Sequence, residues 1–342
     1  IAVSPASWTK VTSVSYHCIK PDCPNHDANL PKEAAQKLEY RCFLCQSELV
    51  PPPVPLEKIV DFVEDLPAAI QIMPKLQVLL SDANSSISDI IGLIKTDPSL
   101  VSRIVKASNT AYFAGSYYCS TIEDAMNRIG FTEAYNIIGY VAASQLFQQD
   151  LPLYGLTSDE LWSSSVRGAS SMQLIGSRLR LVQPYVLPNS GVAYTVGLLR
   201  SVGKMLINFF HGTHGIAALS SLKAPLTVEM EKSLLGFDNR EAAAALLRKW
   251  NFQEEVVSPI LFQDTPFECE EVRPLACLLN VTAKGIRDFP PDKLVDEPQA
   301  LRSSFKSDGG LLSAINLSPK ALLDGLAEST IDFQAFSKSL LV

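Results

Sequence analysis

The sequence predicts an all-α body preceded by a small element of different character, and three observations support this prediction. From about residue 56 onward, apolar residues recur at the spacing of amphipathic helices. After residue 55 no sustained period-two alternation, the mark of a half-buried strand, is found. The first fifty residues contain four of the seven cysteines and end at the proline-rich stretch PPPVP, residues 51–55, which indicates a stiff spacer.

Composition and charge narrow the function classes. The chain has 342 residues, of which 47% are apolar and 19% charged, as expected for a folded globular protein with a sizeable core. Its formal net charge is -7, and residues 1–50 hold five Lys or Arg against five Asp or Glu, so the deficit lies in the remainder. The sequence therefore gives no sign of a broad basic face for nucleic acid, and a protein partner with a mixed or basic surface fits better.

Membrane and secretory classes are not indicated either. No apolar run reaches the eighteen or more residues that a bilayer span needs, and the N-terminus lacks the basic and then apolar pattern of a secretory signal. We therefore expect a cytoplasmic protein with no membrane contact. The chain starts at Ile1 without an initiator Met, so a segment or domain upstream is compatible with the sequence.

Helix starts are marked by capping residues at three points. Ser86 precedes one apolar stripe, and Asp97 with Pro98 provides a cap followed by proline at the first helical position. Thr157 and Glu160 form a predicted capping box, since each side chain would satisfy a backbone amide of the other. The stripes behind the first two caps are Ile87, Ile90, Ile91 and Ile94, then Leu100, Val101, Ile104 and Val105.

A third stripe is followed by Gly130, which is well placed to end its helix in a left-handed conformation. The stripe consists of Ile122, Ala125, Met126 and Ile129. Further helices are predicted over residues 192–210, 229–235, 240–250, 272–287 and 319–341. The main body is thus expected to be helical throughout, without an internal repeat.

Four cysteines form two short-spaced pairs near the N-terminus. Four residues separate Cys18 from Cys23, two separate Cys42 from Cys45, and eighteen lie between the pairs. Each local turn can present two sulfurs, and the intervening chain can bring the pairs to the corners of a tetrahedron, as zinc requires. The spacing therefore predicts one structural zinc ion held by all four cysteines. The element resembles a zinc ribbon, although its first pair is wider than the usual two-residue spacing.

Other readings of these residues stay open. Two disulfides or unlinked buried thiols are the alternatives, and the lack of a signal peptide disfavours the disulfides. His17 and His26 lie beside the cysteines, and either is a candidate to replace one as ligand. His211 and His214 follow an apolar helix and are expected at a helix end or loop, without a metal role. The remaining cysteines, Cys119, Cys269 and Cys277, have no metal-like spacing and are assigned no role.

Several separate motifs follow one another along the helical body. They are DLP (65–67) through MP (73–74), LIKTDPSL (93–100), KASNTAYF (106–113) and TIEDA (121–125), then ELW (160–162), GLLRSVGK (197–204) and LLRKW (246–250). Over roughly residues 60–265 the chain resembles the HDOD family, a degenerate relative of the HD phosphohydrolases. The resemblance implies two helical lobes, the second of them related to those enzymes.

The resemblance also implies that the metal ligands are lost. In an active HD enzyme, imidazoles and a carboxylate hold metal ions that activate water. The matching positions here hold Ser164, Arg200, Ser201, Asn239, Gln263 and Asp264, with Arg200 and Ser201 in place of the His-Asp pair. A lone Asp264 cannot hold a divalent cation with useful affinity, and Arg200 would put positive charge at the metal's place. The protein is therefore expected not to be an enzyme, and no catalytic or cofactor-binding residue is assigned.

The function implied by the resemblance is a non-enzymatic bacterial signalling or regulatory module that acts through protein contact, with room for a small ligand in the vestigial cleft. A metal-dependent HD-type phosphohydrolase or phosphodiesterase is the first alternative. Nucleic-acid binding through the ribbon is the second, and it would need Lys10, Lys20, Lys32, Lys37 and Arg41 to cluster on one face. No phosphate-binding glycine loop, nucleophile elbow or Cys/His pair indicates another enzyme class.

The chain is expected to contain four segments. Residues 1–50 form the zinc-ribbon-like four-cysteine element, 51–58 a proline-rich linker, 59–268 the HDOD domain, and 269–342 a C-terminal helical extension packed on that domain. The first helical lobe of the HDOD domain runs to about residue 150, and the degenerate HD-like lobe follows. The predicted fold class is thus an all-α, two-lobed HDOD fold with a small N-terminal zinc-ribbon-like domain.

Overall fold

Helices make up most of the described part of the chain. The computed structural model describes residues 15–18, 20, 22–25, 30–47, 49–50, 54–63, 68–82, 84–113, 115, 117–182, 190–219, 222, 225–296 and 300–340. Within these ranges the strands all lie before residue 51. No helix of the described residues is both long enough and apolar enough to cross a membrane.

The N-terminal element is a small antiparallel sheet with one short helix. Its strands are β1 (Ser15–Cys18), β2 (Leu30–Pro31) and β3 (Leu49–Val50), in the order β2-β1-β3, and α1 (Lys32–Lys37) follows β2. These elements enclose a small core of their own, which consists of Tyr16, Cys18, Cys23, Ala35, Cys42 and Leu49. The prediction of a small ribbon-like element ahead of the helical body is confirmed.

The helical body has two lobes that share one continuous apolar core. Its helices are α2 (Leu56–Asp61), α3 (Ala68–Ser81), α4 (Ile87–Ile94), α5 (Pro98–Ser108), α6 (Ile122–Leu146), α7 (Ser158–Val182), α8 (Ser190–Leu199), α9 (Val202–His214), α10 (Val228–Leu235), α11 (Asn239–Lys249), α12 (Glu254–Leu261), α13 (Arg273–Asp288), α14 (Pro291–Asp296), α15 (Gly309–Ala314) and α16 (Pro319–Leu340). Helices α3 to α6 pack together as the first lobe, and α7 to α13 form the second, on which α2 also packs. The predicted all-α, two-lobed fold is confirmed.

The predicted helix caps are present. Ser86 and Asp89 form a full capping box at the start of α4, and the Asp97 side chain caps α5. Thr157 and Glu160 form the box before α7, with the Glu160 N–H donating to Thr157 Oγ1 at 3.2 Å and the Thr157 N–H to Glu160 Oε2 at 2.9 Å. Local hydrogen bonding therefore sets these three helix starts, as the sequence indicates.

One predicted helix end is confirmed and one predicted helix differs from the structure. Gly130 has φ 74° and ψ 175°, so the helix that begins at Ile122 ends there as predicted, and a second helix, included in α6, follows directly after the kink. The single helix predicted over residues 192–210 is interrupted at Arg200 and Ser201, which separate α8 from α9. The prediction of one continuous helix there is wrong.

Buried hydrogen bonds join the two lobes. Thr195 of α8 is the centre of one network, in which its Oγ1 lies 2.6 Å from Tyr135 Oη of α6 and accepts from Gln77 Nε2 of α3 at 2.8 Å. The Tyr194 hydroxyl donates to the Asn136 carbonyl at 3.0 Å. Because buried polar groups are costly unless paired, these contacts fix α8 against the first lobe.

The last helix contacts both lobes. On the second lobe, Ser329 Oγ of α16 lies 2.6 Å from Ser171 Oγ of α7, and Glu328 pairs with Arg178 at 2.6 Å. On the first lobe, the Phe336 ring packs edge-on against Tyr140 with centroids 5.7 Å apart. Helix α16 thus connects the lobes along one side of the body.

Candidate functional site

Four cysteine sulfurs converge in the N-terminal element. The Sγ atoms of Cys18 and Cys45 are 3.4 Å apart and those of Cys23 and Cys42 are 3.7 Å apart, and all four lie within 4.8 Å of one another. Sulfurs around a tetrahedral zinc ion, at bonds of about 2.3 Å, are separated by about 3.8 Å. The cluster can therefore hold a metal ion, and the separations are too long for disulfide bonds of about 2.05 Å.

The second cysteine pair sits on a tight loop. The Gln46 N–H donates to the Cys42 carbonyl at 2.8 Å, and the Cys42 N–H donates to the Ser47 carbonyl at 2.7 Å. Asn25 Nδ2 also donates to Cys42 Sγ at 3.4 Å. Although burial raises the pKa of the Cys42 thiol, hydrogen bonds from the Cys45 backbone and the Asn25 amide outweigh it and hold this pKa at about 6. They favour the thiolate, which is the form that binds a metal.

The described histidine side chains, His211 and His214, do not join either candidate site. His26 and the side chain of His17 lie outside the described residues. His211 and His214 occupy the last turn of α9, where His211 Nδ1 accepts from the Ile216 N–H at 2.9 Å and the His214 ring packs against Phe62. The other cysteines, Cys119, Cys269 and Cys277, are buried free thiols.

A cavity of about 880 Å³ opens in the second lobe. Its walls include α7, the α8–α9 turn, the residues after α12, and α13. All the positions that the family resemblance matches to HD metal ligands line it, namely Ser164, Arg200, Ser201, Asn239, Gln263 and Asp264. The structure thus brings together residues that the sequence places far apart, in the lobe where the resemblance puts the HD-like site.

The side chains around this cavity do not fit a divalent metal ion. Asp264 is half exposed, and its Oδ2 lies 3.2 Å from Arg240 Nη1. Glu160 is held in the capping box of α7, and Asn239 Nδ2 donates to Glu231 Oε2 at 2.7 Å. No described histidine lines the cavity. Among the described residues, only the four cysteines form a group of three or more convergent metal-ligand side chains.

Instead, the cavity wall carries three basic side chains that form no ion pair with any carboxylate in the described part of the chain. They are Arg167 of α7, Arg200 of the α8–α9 turn and Lys204 of α9. Burial lowers the pKa of all three, and the positive charge of Arg287 contributes to the shift of Arg200, whose pKa falls to about 10. These shifts reflect the cost of holding positive charge away from water.

A close backbone contact positions the two arginines. A Cβ placed on Gly197 of α8 would lie 2.5 Å from the Gly168 carbonyl oxygen of α7. A Cβ placed on Gly168 would lie 3.5 Å from the Arg200 Nε. The two helices can approach this closely because neither glycine has a side chain. The contact sets Arg167, the neighbour of Gly168, and Arg200 on the same wall of the cavity.

A buried carboxylate of α10 binds the side chain of Asn239 in the second lobe. Glu231 is fully buried, accepts from the Tyr154 hydroxyl, and accepts from the backbone N–H of Asn239 at 2.8 Å. Burial raises the pKa of Glu231, against the opposing effect of these hydrogen bonds. The network turns the Asn239 side chain toward Glu231, so this amide is engaged within the protein.

Comparison with known proteins identifies the family. The sequence model of the HDOD domain matches residues 66–266, more than half of the chain. The protein belongs to the HDOD domain family. HDOD proteins are related to the HD phosphohydrolases. The positions that this resemblance matches to the metal ligands of those enzymes line the second-lobe cavity.

Individual relatives are distant. A segment of 258 residues is 24% identical to an uncharacterized protein of Treponema pallidum and covers 72% of this chain and 47% of that protein, so the chain spans about half the length of this relative.

Solved structures of similar fold include proteins from Marinobacter aquaeolei, Geobacter sulfurreducens and Shewanella amazonensis. A Marinobacter aquaeolei protein, whose name assigns it provisionally to signal transduction, has a TM-score of 0.60 at 19% identity, with 86% of this chain and 63% of that one covered. A Geobacter sulfurreducens HDOD protein of unknown function has a TM-score of 0.58 at 21% sequence identity, with 83% of this chain and 96% of that one covered. A Shewanella amazonensis protein, named provisionally as a phosphohydrolase, has a TM-score of 0.54 at 22% identity, with 84% of this chain and 97% of that one covered. At these identities the likeness establishes the fold alone.

The sequence pattern does not single out two of the basic cavity residues. Arg167 lies three residues after Ser164, so helical spacing puts both on one face of α7, and this spacing is a usable signal. Lys204 follows Arg200 across the interruption between α8 and α9, which the apolar pattern does not reveal. Its position in the cavity therefore becomes evident only from the structure.

Proposed function

We propose that this HDOD protein is a non-enzymatic signalling or regulatory module that acts through contact with a protein partner and holds a small ligand in the cavity of its second lobe. The observation that carries the proposal is the lining of that cavity, where Arg200 and Ser201 take the place of the His-Asp pair. A guanidinium there repels a divalent cation, and the carboxylates of the lining, Asp159, Glu160 and Asp264, do not form a convergent group of metal ligands among the described residues.

The names of two structural neighbours suggest different functions. The Marinobacter protein is named for signal transduction and the Shewanella protein for phosphohydrolysis. The cavity lining favours the first. The usual HD hydrolysis needs a metal ion to activate water and neutralise phosphate charge, and the side chains of this lining do not suit such an ion.

The proposal is tested by assaying the purified protein with manganese or iron against phosphomonoesters and cyclic dinucleotides. We expect no turnover above the background of the metal alone. Metal-dependent turnover that Asp264→Asn abolishes, and that the exposed control Asp324→Asn leaves intact, would show that the protein is a phosphohydrolase.

The partner is tested by affinity purification of the intact chain from cell lysate. We expect a protein to be recovered, because the net charge of -7 disfavours contact with nucleic acid. Recovery of RNA or DNA that survives moderate salt would support the ribbon as a nucleic-acid binding element instead.

We infer further that the cysteine cluster holds a structural zinc ion through Cys18, Cys23, Cys42 and Cys45. Four convergent sulfurs, without an open coordination position, suit zinc in a closed structural site. The small core of the element would gain the stability it needs from the metal.

Elemental analysis of protein purified without added metal should show about one zinc per chain. Cys42→Ser should reduce the zinc content, whereas Cys119→Ser, at a buried thiol outside the cluster, should not. A metal-free preparation in which residues 1–50 resist protease would rule out a structural zinc ion.

A further inference from the structure

We propose that the second-lobe cavity binds a small phosphorylated organic molecule, whose phosphoryl oxygens are held by Arg167, Arg200 and Lys204. This inference rests on the proposed function and names the chemical class of the ligand in the cavity.

Unsatisfied hydrogen-bond donors in the cavity wall are the first observation. The Arg167 side chain is buried, with 6% of its surface exposed, and its Nε and Nη2 atoms have no hydrogen-bond partner. The Arg200 Nε is likewise buried without a partner. Buried polar groups in folded proteins are nearly always paired, and unpaired guanidinium donors are costly. Donors of this kind, in a wall that lines a cavity, indicate an acceptor supplied from outside the chain.

The distribution of acidic groups is the second observation. Among the described residues, no carboxylate forms an ion pair with Arg167, Arg200 or Lys204. The other two basic residues of the lining each have an acidic partner, since Lys284 pairs with Asp308 at 2.6 Å and Arg287 with Asp288 at 2.8 Å. The uncompensated positive charge is thus concentrated on one wall.

Three carboxylates also line the cavity, namely Asp159, Glu160 and Asp264, and none of them forms an ion pair with the three basic side chains. Glu160 is held in the capping box of α7. Asp264 Oδ2 is 3.2 Å from Arg240, and the Asp264 side chain is 55% exposed. It contributes only a weak attraction to Arg200 and Lys204, which is smaller than the effect of their burial. The wall therefore remains cationic around Asp264.

The chemistry of the donors favours a phosphoryl group. A guanidinium presents a planar fork of N–H donors that matches two oxygens of a phosphate, and a lysine adds a point charge. Two arginines and one lysine suit a group with two or more negative charges. A neutral ligand would leave the buried Arg167 and the partly buried Arg200 and Lys204 without an ion-pair partner.

The size of the cavity and the rest of its lining favour a ligand with an organic part as well as a phosphoryl group. A volume of about 880 Å³ lies within the range of small-molecule sites and exceeds the need of a single phosphate. The lining also includes Val228, Phe289, Pro290 and Pro291, which offer apolar contacts, and the amide side chain of Asn280. A ligand that contacts these residues and the three basic side chains would bridge α7 and α9 to the end of α13.

Calorimetric titration of the full chain with inorganic pyrophosphate and inorganic phosphate, at low ionic strength, tests the site. We expect about one pyrophosphate per chain, bound more tightly than phosphate because it meets more of the charges. Arg200→Gln and Lys204→Gln should each weaken binding about tenfold or more, as expected for the loss of a charge-assisted hydrogen bond. The matched control is Arg248→Gln, at an exposed arginine that pairs with Glu254 outside the cavity, and it should bind like the parent protein.

Thermal unfolding in phosphate-free buffer separates a binding role from a structural one. Because Arg200 is a partly buried charge that forms no ion pair with a described carboxylate, Arg200→Gln should fold with an unchanged or higher melting temperature. Pyrophosphate should then raise the melting temperature of the parent and of Arg248→Gln, but not of Arg200→Gln. If Arg200→Gln does not fold, Arg167→Gln and Lys204→Gln serve for the same comparison.

The outcomes distinguish this inference from the proposed function. Absence of pyrophosphate binding, or equal binding by the parent and the cavity variants, overturns the phosphoryl site and leaves the non-enzymatic role intact. Binding that depends on Arg200, combined with metal-dependent hydrolysis of the bound phosphate, supports the site and overturns the non-enzymatic role.

Discussion

Asp238 is a buried carboxylate whose charge stabilises the second lobe. Its side chain is 1% exposed, caps α11 by accepting from the N–H groups of Arg240 and Glu241, and pairs with Arg240 Nη2 at 2.6 Å. Burial raises the pKa of Asp238, but the hydrogen bonds from Arg240 and Glu241 and the charge of Lys232 outweigh it, so the pKa is lowered. A folded-state pKa below the ordinary value means that ionised Asp238 stabilises the fold above pH 3.8, and that this stability is lost as the pH falls through the lowered pKa.

Asp238→Asn should therefore destabilise the protein in a pH-dependent manner. At about pH 7 we expect the free energy of unfolding to fall by about 1–3 kcal/mol, since the amide keeps a capping oxygen but loses the charged interactions. The difference from the parent should shrink as the pH falls below 3.8 through the lowered pKa, because the carboxyl group itself becomes protonated. Urea unfolding across this range measures both effects. A pH-independent difference, or an equal loss in the exposed variant Asp324→Asn, would contradict the assignment.

The approach of α7 to α8 depends on two glycines that face each other. Because the atoms nearest to a Cβ on Gly197 belong to the backbone of Gly168 and Ala169, at 2.5 to 2.8 Å, no side chain can rotate away to make room. The helices would have to separate, and the arginines on the cavity wall would move with them.

Gly197→Ala is therefore expected to lower the free energy of unfolding by about 1–3 kcal/mol, the usual cost of overpacking a core. The matched control is Gly212→Ala in α9, where nothing lies within 4 Å of the added carbon. That control should be neutral or slightly stabilising, because alanine is the better helix former. Urea unfolding compares the two, and equal stabilities would show that the α7–α8 contact can relax.

Most helices could be predicted from the sequence because their ends are determined locally. The caps at Ser86, Asp97 and Thr157 depend on residues within one turn, and their signals are readable in the chain. The break between α8 and α9 has no such signal. It falls at Arg200 and Ser201, in an apolar pattern without proline, and Ser201 makes no side-chain cap bond. Contacts with other helices fix this break, so the sequence pattern continues through it.

At the scale of the molecule, the ribbon and the helical body have separate apolar cores. We expect that cutting within residues 51–55 leaves two folded pieces, because a proline-rich spacer carries few hydrogen bonds between them. The body should unfold at nearly the temperature of the full chain, and the short piece should fold only with zinc. Thermal unfolding of the full chain and of residues 56–342, with and without chelator, tests this boundary.

If chelation instead lowers the melting temperature of the body by many degrees, the ribbon must pack closely on the helices. The proline-rich stretch would then lie along a shared interface instead of separating two units.

The two candidate sites differ in how far the sequence predicts them. The cysteine cluster is visible in the spacing, because each pair of ligands is local. The cavity is visible only where the family resemblance marks it, as at Arg200 and Asp264. Its cationic character also requires Arg167, Lys204 and the pairing of neighbouring charges, which are properties of the packed helices.

One wall of the cavity is built from residues beyond the segment that defines the family. The matched segment ends at residue 266, whereas Asn280, Lys284 and Phe289, which line the cavity, belong to α13 or follow it. If the cavity binds a ligand as proposed, two proteins that agree over the matched segment can differ in the molecule that they bind, because this wall lies outside that segment. Ligand binding would then have to be compared over the longer chain, because a recombinant fragment trimmed to the matched segment would lack the side chains of this wall.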